Sequence, residues 1–256
     1  MSRVADTTIP LKINQYYHIY NRGNNGQLIF FQERNYSFFL KQYAKYMNPY
    51  WNTFAYALLP NHFHLFIQIK DGKTLVEMAK KHLKRVNKIF LMRFSPKNKD
   101  ISMEIADLTD RNYLNQDNFS NYFGLGDYSS FCYKLCEWIA TEPFRRFMMS
   151  YAKAINKQEE RHGSLFQKYF RRKHLEELED FLQLTKYIHR NPIHHGTAIN
   201  LQDSELTSYH SFFVNGKSRL KRTMVLNWFN GIEHFKSEHE QYIEDWKNDE
   251  RWSIET

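Results

Sequence analysis

The feature that most constrains the fold is a pair of strand-like runs joined by a short turn. The runs are WNTFAYALL (51–59) and HFHLFIQIK (62–70), and the turn is Pro60-Asn61. In the second run, alternate positions from 63 onwards are apolar, as in a half-buried strand. Two such runs separated by two residues predict an antiparallel β-hairpin. A chain with this hairpin must bury one face of a sheet.

The second run carries two histidines, His62 and His64, on the face that is not committed to the core. Side chains at i and i+2 of a strand point the same way, so the two imidazoles project together and could share one cation. The spacing alone proves little, because 12 histidines in 256 residues give about 0.6 such pairs by chance. Two surface or hydrogen-bonded histidines therefore remain an open alternative.

Other periodic runs along the chain predict further strands and helices. Strands are expected at 12–23, 27–31 and 163–175. Helices are expected at 33–47, at 131–140, in 223–235 and at 176–191, where Pro192 ends the helix. Two more helices are expected to begin, one at Thr74 and the other at the start signals Thr141 and Pro143. This order predicts the α+β class, with an antiparallel sheet, helices packed on one side of it and a helical C-terminal extension.

The chain is expected to form one main domain, residues 1–196, followed by an extension, residues 197–256, in which we find no chemistry. A segment rich in Asn, Asp and Ser at about 95–130 is expected to be an insertion. Neither an N-terminal signal core nor an apolar segment of membrane-spanning length is found, so a cytoplasmic protein is expected. GKT at Gly72 and GKS at Gly216 lack the first glycine of a phosphate loop, which argues against NTP hydrolysis.

The charge balance favours an anionic partner. Lys and Arg number 36 against 28 Asp and Glu, which gives a net charge of +8 and a pI near 9.2. Aromatic residues make up 17% of the chain, and aromatics beside cations suit single-stranded nucleic acid. A run of eight Lys and Arg without an acid, between Met78 and Lys99, is either a solvated helix face or a phosphate-binding surface. The predicted DNA-binding residues are Lys84, Arg85, Lys168, Arg171 and Arg172, with Arg22 as a weaker candidate.

The helix at 176–191 offers two further candidates, Tyr187 and Asn191. They are four residues apart, so they share one helical face. The expected core stripe of this helix is Leu178, Phe181, Leu182, Thr185 and Ile188. Tyr187 lies about 100° from Ile188 at 3.6 residues per turn and is expected off the packed face. An ordinary tyrosine at a helix edge is the alternative.

Four motifs in order give the chain a family resemblance. They are YYHIYNRGNNGQLIF, AYALLPNHFHLFIQ, FMMSYAKAINKQEERHGSLFQKYF and YIHRNPIHHG, within about residues 12–197. The chain resembles the HUH single-strand DNA transposases of the tyrosine type, and most closely the REP-associated tyrosine transposases. The resemblance implies that His62, His64 and Asn191 bind a divalent cation and that Tyr187 is the nucleophile.

The expected function is then metal-dependent cleavage and rejoining of single-stranded or hairpin DNA through a 5′-phosphotyrosine intermediate. Mixed nitrogen and oxygen ligands suit Mg²⁺ or Mn²⁺, although two histidines would also accept Zn²⁺. Two alternatives stay open. One is a non-catalytic hairpin-binding protein derived from a transposase, and the other is a metal-dependent phosphodiesterase that uses water. A monomer and a homodimer are both compatible with the sequence.

Overall fold

The computed structural model describes residues 7–72, 74, 75, 78, 127–202 and 205–241. Its strands are β1 (Tyr16–Arg22), β2 (Trp51–Leu59), β3 (His62–Ile69) and β4 (Arg171–Leu175). They form one antiparallel sheet in the order β2-β3-β1-β4. The predicted hairpin is confirmed as β2 and β3, and the histidine-bearing strand lies in the interior of the sheet.

The described helices are α1 (Arg34–Met47), α2 (Asp127–Gln158), α3 (Leu178–His194), α4 (Arg222–Trp228) and α5 (Ile232–Gln241). A short 3₁₀ turn, Tyr209–Phe212, precedes α4. The predicted α+β class, with an antiparallel sheet and a helical C-terminal part, is confirmed. None of the described helices is long and apolar enough to cross a lipid bilayer.

Four local predictions were wrong. Residues 27–31 are irregular, because the amides of Ile29 and Phe30 both donate to the Pro60 carbonyl, at 2.8 and 3.1 Å, instead of to a strand. Helix α2 does not restart at Thr141 or Pro143 but runs through them, since Phe144 is fully buried in the core and tertiary packing outweighs the missing proline N–H. Helix α3 likewise runs past Pro192. The predicted strand 163–175 is regular only in β4.

Both faces of the sheet are covered, so the prediction of helices on one side was wrong. Phe63, Leu65 and Ile67 pack with residues of α1 and α2 in a first core, and Phe66 packs with residues of α3 to α5 in a second core. The strand pattern revealed only the first core. The second core lies between the sheet and a layer of helices formed by α3 and the C-terminal helices. This layer buries the face of the sheet that carries the paired histidines.

A directed chain of hydrogen bonds ties α5 to α3 and to the sheet. Phe235 O can only accept, so His239 donates to it from Nδ1 at 2.7 Å, and His239 Nε2 accepts from His189 Nδ1 at 2.8 Å. His189 Nε2 then accepts from the Ser208 hydroxyl at 2.7 Å, whose oxygen accepts from the Tyr56 amide at 3.0 Å. Every link is satisfied with both imidazoles neutral.

This chain predicts acid sensitivity. Burial lowers the pKa of His239 to about 3 and the pKa of His189 well below 6.5. The unfolded chain takes up these protons near pH 6.5, whereas the folded chain resists them, so stability is complete above pH 6.5 and is lost as the pH falls towards 3. The expected slope is about 1.4 kcal/mol per pH unit for each histidine. Urea unfolding between pH 7 and pH 4 would measure it.

The matched control for this prediction lies on the same helix, α5. His239→Gln should reduce the slope, because the variant no longer resists a proton that the unfolded chain takes up. His234→Gln should leave the slope unchanged, since His234 is exposed. Equal slopes for wild type and His239→Gln would contradict the assignment of the acid sensitivity to this network.

Candidate active site

The register of the sheet positions the paired histidines against β1 and β2. Arg22 and Tyr20 of β1 stand directly opposite His62 and His64, respectively. On the other side, Ala57 of β2 stands opposite His64. Helix α3 packs over β2 and β3.

Helix α3 brings Tyr187 and Asn191 onto the two histidines within one chain. The Tyr187 ring lies edge-on to the His64 ring, with 5.4 Å between centroids, and Asn191 Oδ1 lies 3.2 Å from His62 Nε2. The distance along α3 from Tyr187 to Asn191 matches the distance along β3 from His64 to His62, because four helical residues rise about 6 Å and two strand residues advance about 6.7 Å. One helical turn therefore aligns with one strand repeat, so each α3 residue faces its own histidine.

The expected exposure of Tyr187, His62 and His64 was wrong. Tyr187 and His62 are only 5% and 8% exposed, and His64 and Asn191 are fully buried. Leu178, which was expected in the core stripe, is 50% exposed instead. The apolar residues of this segment predicted one buried face of α3. In the structure, α3 packs against the sheet on one side and against the C-terminal helices on another.

The hydrogen bonds of His62 fix which of its nitrogens carries the proton. Burial, with a smaller effect of the nearby His195, lowers the pKa of His62 to about 4, so the ring is neutral at pH 7. The Asn61 amide donates to Gly26 O at 3.4 Å, which leaves its Oδ1 as the acceptor of His62 Nδ1–H at 2.6 Å. The electron pair of His62 Nε2 therefore faces Asn191 Oδ1.

This arrangement fits a bound cation. His62 Nε2 and Asn191 Oδ1 present two electron pairs 3.2 Å apart, close to the spacing of about 3 Å for two ligands at right angles around a cation with 2.1 Å bonds. In this orientation Asn191 Nδ2 is buried and has no hydrogen-bond partner among the described residues. Without a cation, the amide turned over would donate from Nδ2 to His62 Nε2 and leave Oδ1 unpaired instead, whereas a bound cation favours Oδ1 towards His62 Nε2. Within the part of the chain that the structure describes, His64 Nε2 is also buried without a hydrogen-bond partner.

A site here depends on the amide as a ligand. Within residues 7–72 and the other described segments, no three His, Cys, Asp or Glu side chains form a group able to hold a metal ion. His62, His64 and Asn191 would instead offer two imidazole nitrogens and one carboxamide oxygen, a donor set that suits Mn²⁺ or Mg²⁺ and also accepts Zn²⁺.

Sequence reasoning missed three histidines around the site. His18 Nε2 lies 2.9 Å from His64 Nδ1, the His195 ring lies 4.7 Å from that of His62, and the His194 ring lies 6.0 Å from that of Tyr187. Burial, then the neighbouring imidazoles, lowers the pKa of His64 well below 6.5. The alternation of β1, which places His18 on the same face as Tyr20 and Arg22, was the signal that could have found His18.

Three of the predicted DNA-binding residues lie along one end of β1. Arg22 is half-buried opposite His62, and its charge contributes to lowering the pKa of that histidine. Lys168 is exposed, and its ammonium lies 5.3 Å from the ring centre of Tyr169, which is 58% exposed. Arg171 hydrogen-bonds the side chain of Tyr20. An aromatic and cationic surface thus adjoins the histidine face.

The other predicted basic residues contribute less to this surface. Arg172 donates to Thr7 O at 2.9 Å and stacks on the Phe170 ring at 4.5 Å, so its guanidinium has structural partners. Lys84 and Arg85 lie outside the described residues. Most of the predicted insertion at 95–130 also lies outside them, although its last residues, 127–130, are helical and belong to α2.

Comparison with known proteins gives a distant structural likeness. No protein-family model and no curated protein matches the chain. Among solved structures, the fold is similar to that of a REP-associated tyrosine transposase bound to a REP hairpin, at 14% sequence identity and a TM-score of 0.46, over 83% of this chain and 86% of that chain. A likeness this distant says nothing about activity, so the chemistry has to come from the residues of this chain.

Proposed function

We propose that this protein is a metal-dependent DNA strand transferase that cleaves and rejoins single-stranded DNA through a covalent bond to Tyr187. The observation that carries the proposal is the pairing of α3 with β3. The Tyr187 ring meets the His64 ring at 5.4 Å, and one helical turn later Asn191 Oδ1 meets His62 Nε2 at 3.2 Å. A phenol next to a candidate cation site suits transesterification at phosphorus.

The proposed reaction exchanges one phosphate ester for another. The Tyr187 oxygen attacks the scissile phosphorus and loses its proton, a bond forms between that oxygen and phosphorus, and the bond to the 3′-oxygen breaks. The departing oxygen takes up a proton and becomes a 3′-hydroxyl. The number of ester bonds is unchanged, so the reverse attack by a 3′-hydroxyl rejoins the strand without an energy source.

Each residue of the site has a distinct part in this proposal. A divalent cation held by His62, His64 and Asn191 would act as a Lewis acid on the phosphate oxygens. Tyr187 supplies the attacking oxygen from a fixed position, because its ring packs in the second core and against the His64 ring. Asn61 accepts a hydrogen bond from His62 Nδ1 and so directs the Nε2 atom of His62 towards the site.

The substrate would approach from the end of the sheet next to the β2–β3 turn. His195 is exposed there, and Asn61 and Arg22 are half-buried, whereas the deeper groups His64 and Asn191 are fully buried. Arg22 therefore stands between solvent and the histidines, where its guanidinium can hold a phosphate.

The decisive experiment is to trap the covalent product. The protein is incubated with Mn²⁺ and a labelled single-stranded DNA that carries a hairpin, then denatured and separated by size. The expected result is a labelled band at the mass of protein plus DNA, lost when EDTA replaces Mn²⁺. Cleavage without an adduct would favour a phosphodiesterase that uses water, and tight hairpin binding without cleavage would favour a non-catalytic binding protein.

DNA binding should depend on salt through Lys168. Each phosphate contact to a single strand contributes about 0.7 to the slope of log K against log salt. Lys168→Gln should therefore lower this slope by about 0.7 and weaken binding to all sequences alike. Fluorescence anisotropy at several salt concentrations would measure it. Lys236→Gln, an exposed lysine of α5, is the matched control and should bind as wild type. An unchanged slope for Lys168→Gln would exclude this contact.

A further inference from the structure

We propose that His18 is a positioning residue that fixes the proton of His64, so that His64 Nε2 presents its electron pair to the cation. This inference rests on the proposed function, since it concerns the cation held by His62, His64 and Asn191. It adds a residue of β1 to a site that otherwise comes from β3 and α3.

The argument starts from one hydrogen bond. His18 Nε2 and His64 Nδ1 lie 2.9 Å apart, and the two rings are nearly parallel, with centroids 5.1 Å apart and 16° between planes. His18 is 2% exposed and His64 is fully buried, so both rings are neutral and each carries one N–H. A single proton therefore lies between the two nitrogens, and it belongs to one ring or the other.

The two placements of this proton have opposite consequences at the far side of His64. If His18 donates, His64 carries its own proton on Nε2, which is buried and has no acceptor among the described residues, and the ring cannot bind a metal through that atom. If His64 donates from Nδ1 to His18 Nε2, its Nε2 has an electron pair for a cation. Cation binding thus selects the second placement, and His18 is the acceptor that makes it available.

The other histidine is held in the same way. Asn61 Oδ1 accepts from His62 Nδ1–H at 2.6 Å and leaves His62 Nε2 as an electron-pair donor. The Nδ1–H of each histidine therefore has its own acceptor. Asn61 of the β2–β3 turn accepts from His62, and His18 of β1 accepts from His64. The two contacts together explain how both Nε2 atoms can face one ion.

A purely structural role is the competing explanation, and the protein contains a comparison for it. His189 and His239 form another buried imidazole pair, with a nitrogen–nitrogen distance of 2.8 Å, which belongs to the packing of α5 on α3. If His18 acts only through packing, replacing it should resemble replacing His239. If it acts on the cation, the two variants should differ in metal affinity.

The test measures Mn²⁺ affinity by the EPR signal of free Mn²⁺, with thermal unfolding without metal as the measure of folding. His18→Phe fills the space without an acceptor, and the expected loss of affinity is about 10- to 100-fold, typical of groups that orient a metal ligand. His239→Phe is the matched control and should retain the wild-type affinity. His18→Gln, whose Oε1 can take the place of Nε2, should recover most of the affinity. The Mn²⁺ concentration needed for half-maximal adduct formation should shift in parallel.

The outcomes separate this inference from the proposed function. Wild-type Mn²⁺ affinity in His18→Phe would overturn the role of His18 and leave the proposed function intact, whereas a wild-type protein that does not bind Mn²⁺ would overturn both. If His18→Phe does not fold, His18→Gln and His18→Asn decide the question. The shorter amide of asparagine cannot reach His64 Nδ1, so equal affinities in these two variants would also overturn the inference.

Discussion

Tyr187→Phe should form no covalent adduct with DNA, while the protein stays folded and still binds Mn²⁺ and hairpin DNA. The substitution removes only the attacking oxygen and keeps the ring that packs against His64. Loss of a nucleophile costs other enzymes up to about 10⁶ in rate, so the adduct should fall below detection. Gel separation of denatured, labelled complexes gives the adduct, and EPR gives Mn²⁺ binding.

The control for Tyr187→Phe is Tyr209→Phe. Tyr209 is another buried tyrosine, 2% exposed, in the second core, and its hydroxyl has no hydrogen-bond partner among the described residues. This variant should form the adduct as wild type does. Digestion of the wild-type adduct should place the DNA on the peptide that contains Tyr187. Recovery on the peptide that contains Tyr20, whose ring stacks on His64 with centroids 5.9 Å apart, would make Tyr20 the nucleophile instead.

His62→Leu should bind Mn²⁺ too weakly to measure and should form no adduct. Leucine fills much of the volume of the imidazole but has no electron pair, so the ion would keep only His64 and Asn191. His62 is a better choice than His64, because truncating the fully buried His64 would also leave His18 without its partner, at a cost of about 1–3 kcal/mol. Titration with Mn²⁺ and the adduct assay measure both effects.

The control for His62→Leu is the wild-type protein with EDTA, which should show the same loss of adduct and the same retained binding of hairpin DNA. Thermal unfolding without metal checks that the variant is folded. An adduct from His62→Leu at the wild-type yield would exclude this histidine as a ligand and leave the cation without the Nε2–Oδ1 pair on which the site depends.

Local periodicity was enough to predict the pieces of the site. Alternation in β3 placed His62 and His64 on one face, and the four-residue spacing placed Tyr187 and Asn191 on another. Both inferences use one element at a time. That the two faces meet follows from the sheet order and from α3 crossing β2 and β3, which no single element specifies. In the sequence, this pairing was implied only by the family resemblance.

Burial was not predictable in the same way. His64 looked half-exposed because its face of β3 contains fewer apolar residues, yet it is fully buried. The residues in contact with it include Tyr187 of α3, more than 120 positions along the chain, and nothing in the pattern of β3 predicts this contact. His18 was missed for a related reason, since its importance comes from a contact with another strand.

The C-terminal helices have a consequence for how the protein is made. A chain emerges from the ribosome from its N-terminus, and packing must wait for the residues that complete it. Val225, Phe229 and Phe235 share the second core with Tyr187. The helix that carries Tyr187 is therefore synthesised well before its covering layer. Until α5 has been synthesised, the apolar face of this helix lacks the residues that cover it, so the second core that buries Tyr187 forms only after α5 is present.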